Sequence, residues 1–301
     1  MKAVLLHGYG NVDQLVYEEV PIPIAGPGEV LVKMLSTSVN PIDYKIRRGD
    51  MKQIMPLQLP FIPGYDLAGQ VVALGEGVTR LKVDDLVMGV AEHTYAEYVS
   101  CKADILAPIP AGLDRYEAGA YPLVLQTGAQ LIEQGVAPNP GQRVLITGAL
   151  GSVGRTAVHV AKQHRAFVIA GVRAAQRPEA EELEADAIVA VDDDTQLEDL
   201  TELDAVADTV GHEVIDRLIP HIRKNGILAT VIGKPQSAEG REIQVHEVWS
   251  QPDAKRVEQL AAELARGTFT IPVAKRLKLA EVQQAHTLAE KGGIGKIILI
   301  A

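Results

Sequence analysis

The sequence predicts an α/β protein built from a mostly β domain and a doubly wound parallel sheet. Three observations carry this. The apolar, β-branched run 143–147 enters a glycine-rich turn, Gly148-Ala149-Leu150-Gly151-Ser152-Val153-Gly154, and a helical pattern (Ala157, Val158, Val160, Ala161) leaves it. Strand-like and helix-like segments then alternate as far as about residue 232, the signature of parallel strands joined by helical crossovers. The first third of the chain has a different texture, rich in Gly, Pro and short β-type runs.

In the first third, 30–35 and 69–74 read as strands, with turn chemistry at Ala25-Gly26-Pro27-Gly28 and Gly75-Glu76-Gly77. The texture changes at Tyr121-Pro122. Strands follow at 143–147, 166–170, 187–191, 205–208 and 226–232, with helices over 152–164, 178–184 and 212–222. Near Gly267 it changes again, with a helix from about Ala280 and a closing strand over 296–300. That strand lies beyond the alternating block, so we place it with the first domain. The expected domains are 1–122 with 266–301, and 123–265.

At 301 residues, the chain is long enough for two domains with sizeable cores. The formal net charge of −10, with no stripe of Lys or Arg, argues against nucleic acid or an anionic membrane surface as partner. Cys101 is the only cysteine, which excludes an intrachain disulfide framework and fits a reducing cytoplasm. The N-terminal apolar run is too short for a signal peptide, and no stretch of about 18 apolar residues suggests a membrane span.

The turn at 148–154 has the context a dinucleotide site needs, because it follows a strand and opens a helix. Glycines let the backbone approach a phosphate closely, and the N–H groups opening the helix can hold the anion. A dinucleotide fold that binds NAD places an Asp or Glu about 20 residues on, for the ribose hydroxyls. Here the second strand is followed by Gly171-Val172-Arg173-Ala174-Ala175-Gln176-Arg177, which has no acid and two arginines. A carboxylate would repel a 2′-phosphate and a guanidinium would bind it. NADPH is therefore expected over NADH, with Arg173 and then Arg177 as its phosphate ligands.

These motifs resemble those of the medium-chain dehydrogenase/reductase superfamily, in its zinc-free quinone oxidoreductase (zeta-crystallin-like) branch. The likeness rests on Asn40-Pro41-Ile42-Asp43, Pro63-Gly64-Tyr65-Asp66-Leu67-Ala68-Gly69-Gln70-Val71, Tyr95-Ala96-Glu97-Tyr98-Val99, the glycine turn, Asp208-Thr209-Val210-Gly211 and Gly295-Lys296-Ile297-Ile298-Leu299. It departs from the family at Lys82-Val83-Asp84-Asp85, where Pro-Gly-Asp is common, and at Gly128, where alanine usually follows the threonine. The resemblance implies a GroES-like catalytic domain, a Rossmann domain, nicotinamide held between them, and a homodimer. It implies cofactor contacts from Thr127, Gly148, Ala149, Gly151, Ser152, Val153, Val210, Ile232 and Lys296.

Zinc enzymes of this superfamily hold catalytic zinc through a cysteine, a histidine within Gly-His-Glu, and a third ligand. The corresponding positions here read Asn40 and Gly64-Tyr65-Asp66, and one cysteine cannot build a four-cysteine structural site. The histidines are scattered; even His159 and His164 are five apart on a helix. We expect no metal. Without a Lewis acid to polarise a simple carbonyl, the expected acceptors are already electrophilic: quinones, or the C=C bond of α,β-unsaturated ketones and aldehydes. Asn40, Tyr44, Lys45 and Tyr65 are the candidate catalytic and pocket residues, with Asn40 donating to a substrate oxygen. Asp43 and Asp66 are read as loop anchors. The alternatives are a metal-free alcohol or carbonyl dehydrogenase and a non-catalytic NADPH-binding redox sensor.

Overall fold

The computed structural model describes residues 1–301 and divides into two units, Met1–Leu123 with Pro252–Ala301, and Val124–Gln251.

In the first unit, β1 (Lys2–Leu6) pairs antiparallel with β2 (Leu15–Glu19). The main sheet contains β3 (Glu29–Ser38), β4 (Asp66–Leu74), β5 (Leu86–Val90), β6 (Tyr98–Lys102) and β7 (Leu106–Pro108). Strand β3 explains why. Its side chains alternate, and Val30, Val32 and Met34 point into a core with Leu67, Val71, Val87 and Leu106, as the two-residue period of a strand dictates. At its end the pattern turns polar, and Ser36, Thr37 and Ser38 are all buried. Helix α1 (Pro41–Arg48) follows at once, with Pro41 in its first turn and Gly49 in the left-handed region closing it.

The second unit begins within helix α2 (Pro122–Gln130), which carries the chain out of the first. Its six strands are β8 (Arg143–Thr147), β9 (Phe167–Val172), β10 (Ala187–Ala190), β11 (Leu203–Asp208), β12 (Ile222–Thr230) and β13 (Gln244–Glu247). All are parallel, in the order β10-β9-β8-β11-β12-β13. The chain starts at the centre, winds outward through β9 and β10, and returns to the other side of β8. This Rossmann order leaves a crevice at the carboxyl ends of β8 and β11, where ligands of such sheets bind. The connecting helices are α3 (Ser152–Gln163), α4 (Arg177–Ala180), α5 (Asp194–Glu198) and α6 (His212–Leu218).

The returning chain corrects one expected boundary. Helix α7 (Ala254–Ala265) packs with β5 and β7 through Val257, Leu260 and Ala261, so it belongs to the first unit and not to 123–265. The second unit ends where α2 grips the chain: buried Gln130 accepts from the Gln251 N–H at 2.9 Å and donates to its carbonyl at 2.7 Å. The chain then closes the first unit's sheet, as expected. β14 (Val273–Lys278) and α8 (Val282–Lys291) lead to β15 (Lys296–Ile300), which pairs antiparallel with β3.

Two departures from the family pattern have structural reasons. Gly128 lies on α2 where a Cβ would stand 2.6 Å from the Thr156 Cβ of α3, so these helices approach too closely for alanine. Asp84 takes φ +76°, the left-handed conformation that suits the family's glycine. Aspartate tolerates that conformation better than most residues, and Asp84 Oδ1 also accepts from Gln70 Nε2 at 3.0 Å. A β-branched side chain tolerates it poorly, so thermal melting is expected to rank Asp84→Val below the parent chain.

Candidate active site

In the second unit the glycine turn is held from beneath by a buried carboxylate. Asp208, at the end of β11, has no exposed surface. Its Oδ1 accepts from Thr147 Oγ1 (2.8 Å), the Gly211 N–H (2.9 Å) and the Val210 N–H (3.1 Å), and its Oδ2 accepts from Thr230 Oγ1 (2.9 Å). Thr147 and Thr230 end β8 and β12, so one aspartate fastens the carboxyl ends of three adjacent strands. Thr209 doubles the link, donating its N–H to Thr147 Oγ1 and its hydroxyl to the Thr147 carbonyl. The sequence marks Asp208 only as part of a family motif; its role as an anchor comes from strand order.

Above this anchor the turn has the close geometry a pyrophosphate needs. Gly148 has φ +58°, and a Cβ on Gly154 would stand 2.1 Å from the Gly148 carbonyl oxygen. Ala149 is buried, and Ser152 and Val153 open the twelve-residue α3, whose first N–H groups have no acceptor within the helix. Val210 and Ile232 lie at this end of the sheet: a Cβ on Gly148 would meet the Val210 side chain, and one on Gly211 would meet that of Ile232. Arg155, which sequence reasoning did not single out, secures the loop. Its buried guanidinium donates to the Leu150 carbonyl at 3.1 Å and to Glu179 Oε1 at 2.8 Å. The residues present therefore fit a dinucleotide phosphate group.

The two arginines separate. Arg173 ends exposed beyond β9, and its Nε bonds only Gln176 Oε1. Arg177 turns toward β10, where Nη1 bonds the Ile188 carbonyl and Gln196 Oε1. The segment that lacks an acid in sequence has one in space: Asp192 Oδ1 accepts from the Ala174 N–H at 2.7 Å. Thr127 lies half-exposed on α2.

In the first unit a second buried aspartate organises the candidate substrate residues. Asp66 has no exposed surface, and its Oδ2 accepts from Ser38 Oγ (2.5 Å) and Asn40 Nδ2 (2.7 Å). The Asn40 Oδ1 accepts from Lys296 Nζ at 2.7 Å, and the same ammonium lies 3.5 Å from Asp66 Oδ2. Two expectations change here. The Asn40 amide, expected to donate to a substrate oxygen, is engaged on both its oxygen and its nitrogen. Lys296, expected to contact the cofactor, is only 5% exposed and turned into this network. A buried charge has to meet its partners locally, and sequence spacing does not reveal a partner 256 residues away.

The remaining pocket candidates are freer. Lys45, on α1, is half-exposed and its ammonium forms no hydrogen bond or ion pair. Tyr44 and Tyr65 are half-buried beside the core formed by Ile46, Tyr95 and Leu299, and burial raises both phenols above their ordinary range. Burial likewise pushes the Cys101 thiol up to about 12, so it behaves as a small hydrophobe. No three His, Cys, Asp or Glu side chains come together in an arrangement that could hold a metal ion.

Beneath α1 lies a buried polar group. Asp43 accepts from the Asn40 N–H at 2.7 Å. Burial pushes its carboxyl up to about 7, aided by Asp66 and opposed by that N–H, Lys296 and Tyr95. Tyr95 bonds His286 Nε2 at 3.1 Å, and burial with nearby Arg47 lowers His286 to about 3. The two groups act oppositely on stability. Between pH 4 and 7 folded Asp43 keeps a proton the unfolded chain has lost, so its contribution falls as pH rises. Between about pH 3 and 6.5 unfolded His286 holds a proton the folded form lacks, so its contribution rises. Asp43→Asn keeps the acceptor and removes the titration. Its stability relative to the parent chain, measured by denaturant unfolding, is expected to increase from pH 4 to pH 7.

A second expected outcome concerns the turn. Gly154→Ala forces Gly148 to move, and is expected to weaken binding of a nicotinamide dinucleotide on the order of tenfold or more and to cost roughly 1–3 kcal/mol of stability. Fluorescence titration and thermal melting read the two effects; unchanged binding would show that the turn does not hold the phosphates.

Residues 26–111 match the alcohol dehydrogenase GroES-like domain, and residues 183–299 match the zinc-binding dehydrogenase family. The chain is 36% identical over 180 residues to a chloroplastic quinone-oxidoreductase homolog of Spinacia oleracea, covering 56% of this chain and 55% of that protein. It is 30% identical over 248 residues to a chloroplastic NADPH-dependent alkenal/one oxidoreductase of Arabidopsis thaliana, covering 77% of this chain and 63% of that protein. The matched region thus spans between half and two thirds of these relatives. The solved quinone oxidoreductase of Coxiella burnetii superposes with a TM-score of 0.90 at 27% identity, over 100% of this chain and 99% of that one. With two matching domains and the Rossmann strand order, the chain belongs to the medium-chain dehydrogenase/reductase superfamily, in its zinc-free quinone oxidoreductase-like family.

Proposed function

We propose that this protein is an NADPH-dependent reductase of quinones or of the C=C bond of α,β-unsaturated ketones and aldehydes. The observation that carries the reading is the engagement of Asn40. At the position where zinc relatives place a cysteine ligand stands an amide bound to the Lys296 ammonium and to Asp66. A lysine in that place leaves no room for a metal Lewis acid, which favours an acceptor already electrophilic through its own conjugation. The relatives named for quinone and alkenal/one reduction support the same class.

The dinucleotide supplies a hydride when bound. The chain's own part is to hold the dinucleotide and to stabilise the charge that develops on the acceptor oxygen. For the first task we assign Gly148, Ala149, Gly151, Ser152 and Val153 to the pyrophosphate, Thr127, Val210 and Ile232 to the rest of the cofactor, and exposed Arg173 to the 2′-phosphate. For the second we assign Lys45, whose ammonium is unpaired, with Tyr44 and Tyr65 lining the acceptor pocket. Asn40 is a positioning residue in this scheme. We further read the protein as a cytoplasmic homodimer with small hydrophobic acceptors, neither nucleic acid nor membrane being a partner. The net charge of −10 supports the exclusion of nucleic acid and anionic membrane surfaces, and the single buried cysteine fits a reducing compartment.

The test is cofactor oxidation against a panel of quinones, enals, enones and saturated ketones, with NADPH and NADH compared. NADPH turnover with the conjugated acceptors is expected. Arg173→Ala should raise KM for NADPH about tenfold with little change in kcat, and Lys45→Ala should lower kcat/KM for enones by a similar factor. Preference for saturated ketones or for NADH would overturn the corresponding half of the proposal. Tight NADPH binding without turnover of any acceptor would favour a redox sensor.

A further inference from the structure

We propose that Lys296 is a positioning residue whose buried ammonium locks Asp66 and Asn40 together, and through Asp66 sets where helix α2, the bearer of Thr127, begins. This deepens the functional reading above and rests on it for its link to catalysis. Asp66 has a second carboxylate oxygen, Oδ1, which accepts from the Leu123 N–H at 2.7 Å. Leu123 is in the first turn of α2, where backbone N–H groups have no acceptor of their own. A carboxylate there also meets the positive end of the helix dipole. Asp66 thus caps α2 from outside the helix.

The five residues of this cluster come from five separate element ends. Ser38 ends β3, Asn40 precedes α1, Asp66 begins β4, Leu123 opens α2 and Lys296 begins β15. Asp66 is fully buried and Lys296 nearly so, so the donors named here must meet the carboxylate without bulk water. Replacing the ammonium with an apolar group would leave the Asn40 Oδ1 without that donor and the carboxylate without a cation. Without its cation the carboxylate would turn toward the Ser38 and Asn40 donors or admit water, and its alignment on the Leu123 N–H would loosen. Leu123 and Thr127 are four residues apart on α2, so they share a face, and both are half-exposed. Movement at Leu123 therefore shifts the face that presents Thr127. The same ammonium, through Asn40, holds the entry to α1, the helix of Tyr44 and Lys45.

The test compares the full-length parent chain with Lys296→Met and with the double variant Asp66→Asn/Lys296→Met, which removes both charges and keeps an acceptor for Leu123. Hydrogen exchange over 121–126, NADPH affinity, melting temperature and steady-state kinetics with an enone are measured on each. For Lys296→Met we expect exchange at Leu123 at least tenfold faster and kcat at least tenfold lower. NADPH affinity is expected to weaken only together with the faster exchange at Leu123, because Thr127 contacts the cofactor in this scheme, and exchange over 143–172 to stay unchanged. The double variant is expected to regain slow exchange at Leu123 and part of kcat. If Lys296→Met instead weakened NADPH binding tenfold with Leu123 exchange unaltered, Lys296 would be a cofactor ligand and the proposal would be overturned. A lowered melting temperature with unchanged exchange at Leu123 and unchanged kcat per folded molecule would make it a packing residue, and the proposal would again be overturned. Should Lys296→Met fail to fold, the double variant decides: protected Leu123 supports the cap, and fast exchange there overturns it. If the parent chain itself reduced no quinone or enone, the functional reading would fall, and exchange at Leu123 would still decide this proposal.

Discussion

A carboxylate enclosed by protein needs donors close to its oxygens, because an unmet buried charge costs several kcal/mol. That requirement organises each unit of this molecule. In the second unit Asp208 draws Thr147, Thr230 and the Val210 and Gly211 amides to one point, and so brings together the ends of β8, β11 and β12. In the first, Asp66 draws in Ser38, Asn40, Leu123 and Lys296. Each aspartate lies where several elements end, so satisfying it determines where the connecting loops must run.

The glycine turn depends on this arrangement. A turn that approaches a phosphate cannot be stiffened by side chains of its own, since a Cβ at Gly154 would strike the Gly148 carbonyl. Its rigidity comes from neighbours: Thr209 tied to Thr147 below it, and Arg155 tied to Leu150 and Glu179 beside it. Rigid support of this kind is what lets backbone N–H groups stand ready for an anion without rearranging.

Much of the fold was legible because it follows from local pattern. The run 143–147 is the observed β8, the helix expected over 152–164 is observed as Ser152–Gln163, and the strand at 296–300 returns to the first unit. Helix α7 escaped because its periodic residues Val257, Leu260 and Ala261 say that it buries a face but not against which sheet. In the candidate site, residue types were legible and partners were not. Asn40 and Lys296 both read as facing ligands, yet they bond one another across 256 residues. Arg177 pairs with Arg173 by proximity in sequence, but the chain turns its guanidinium toward β10. Asp192 lies well beyond the second strand in sequence and still reaches the Ala174 N–H, since parallel neighbours β9 and β10 end side by side.

What the sequence determined by itself was the strand–glycine–helix unit, the alternation that makes a parallel sheet, and the absence of cysteine and histidine where zinc relatives carry them. These are properties of contiguous residues: propensity, periodicity and side-chain chemistry act over a few positions. Only the tertiary structure decided which polar groups remain free for ligands. That choice turns on burial, because a charged group excluded from water must bond whatever donors or acceptors the fold brings within about 3 Å of it. For Asn40 and Lys296 those partners lie inside the protein, whereas Lys45 and Arg173 stay open to solvent.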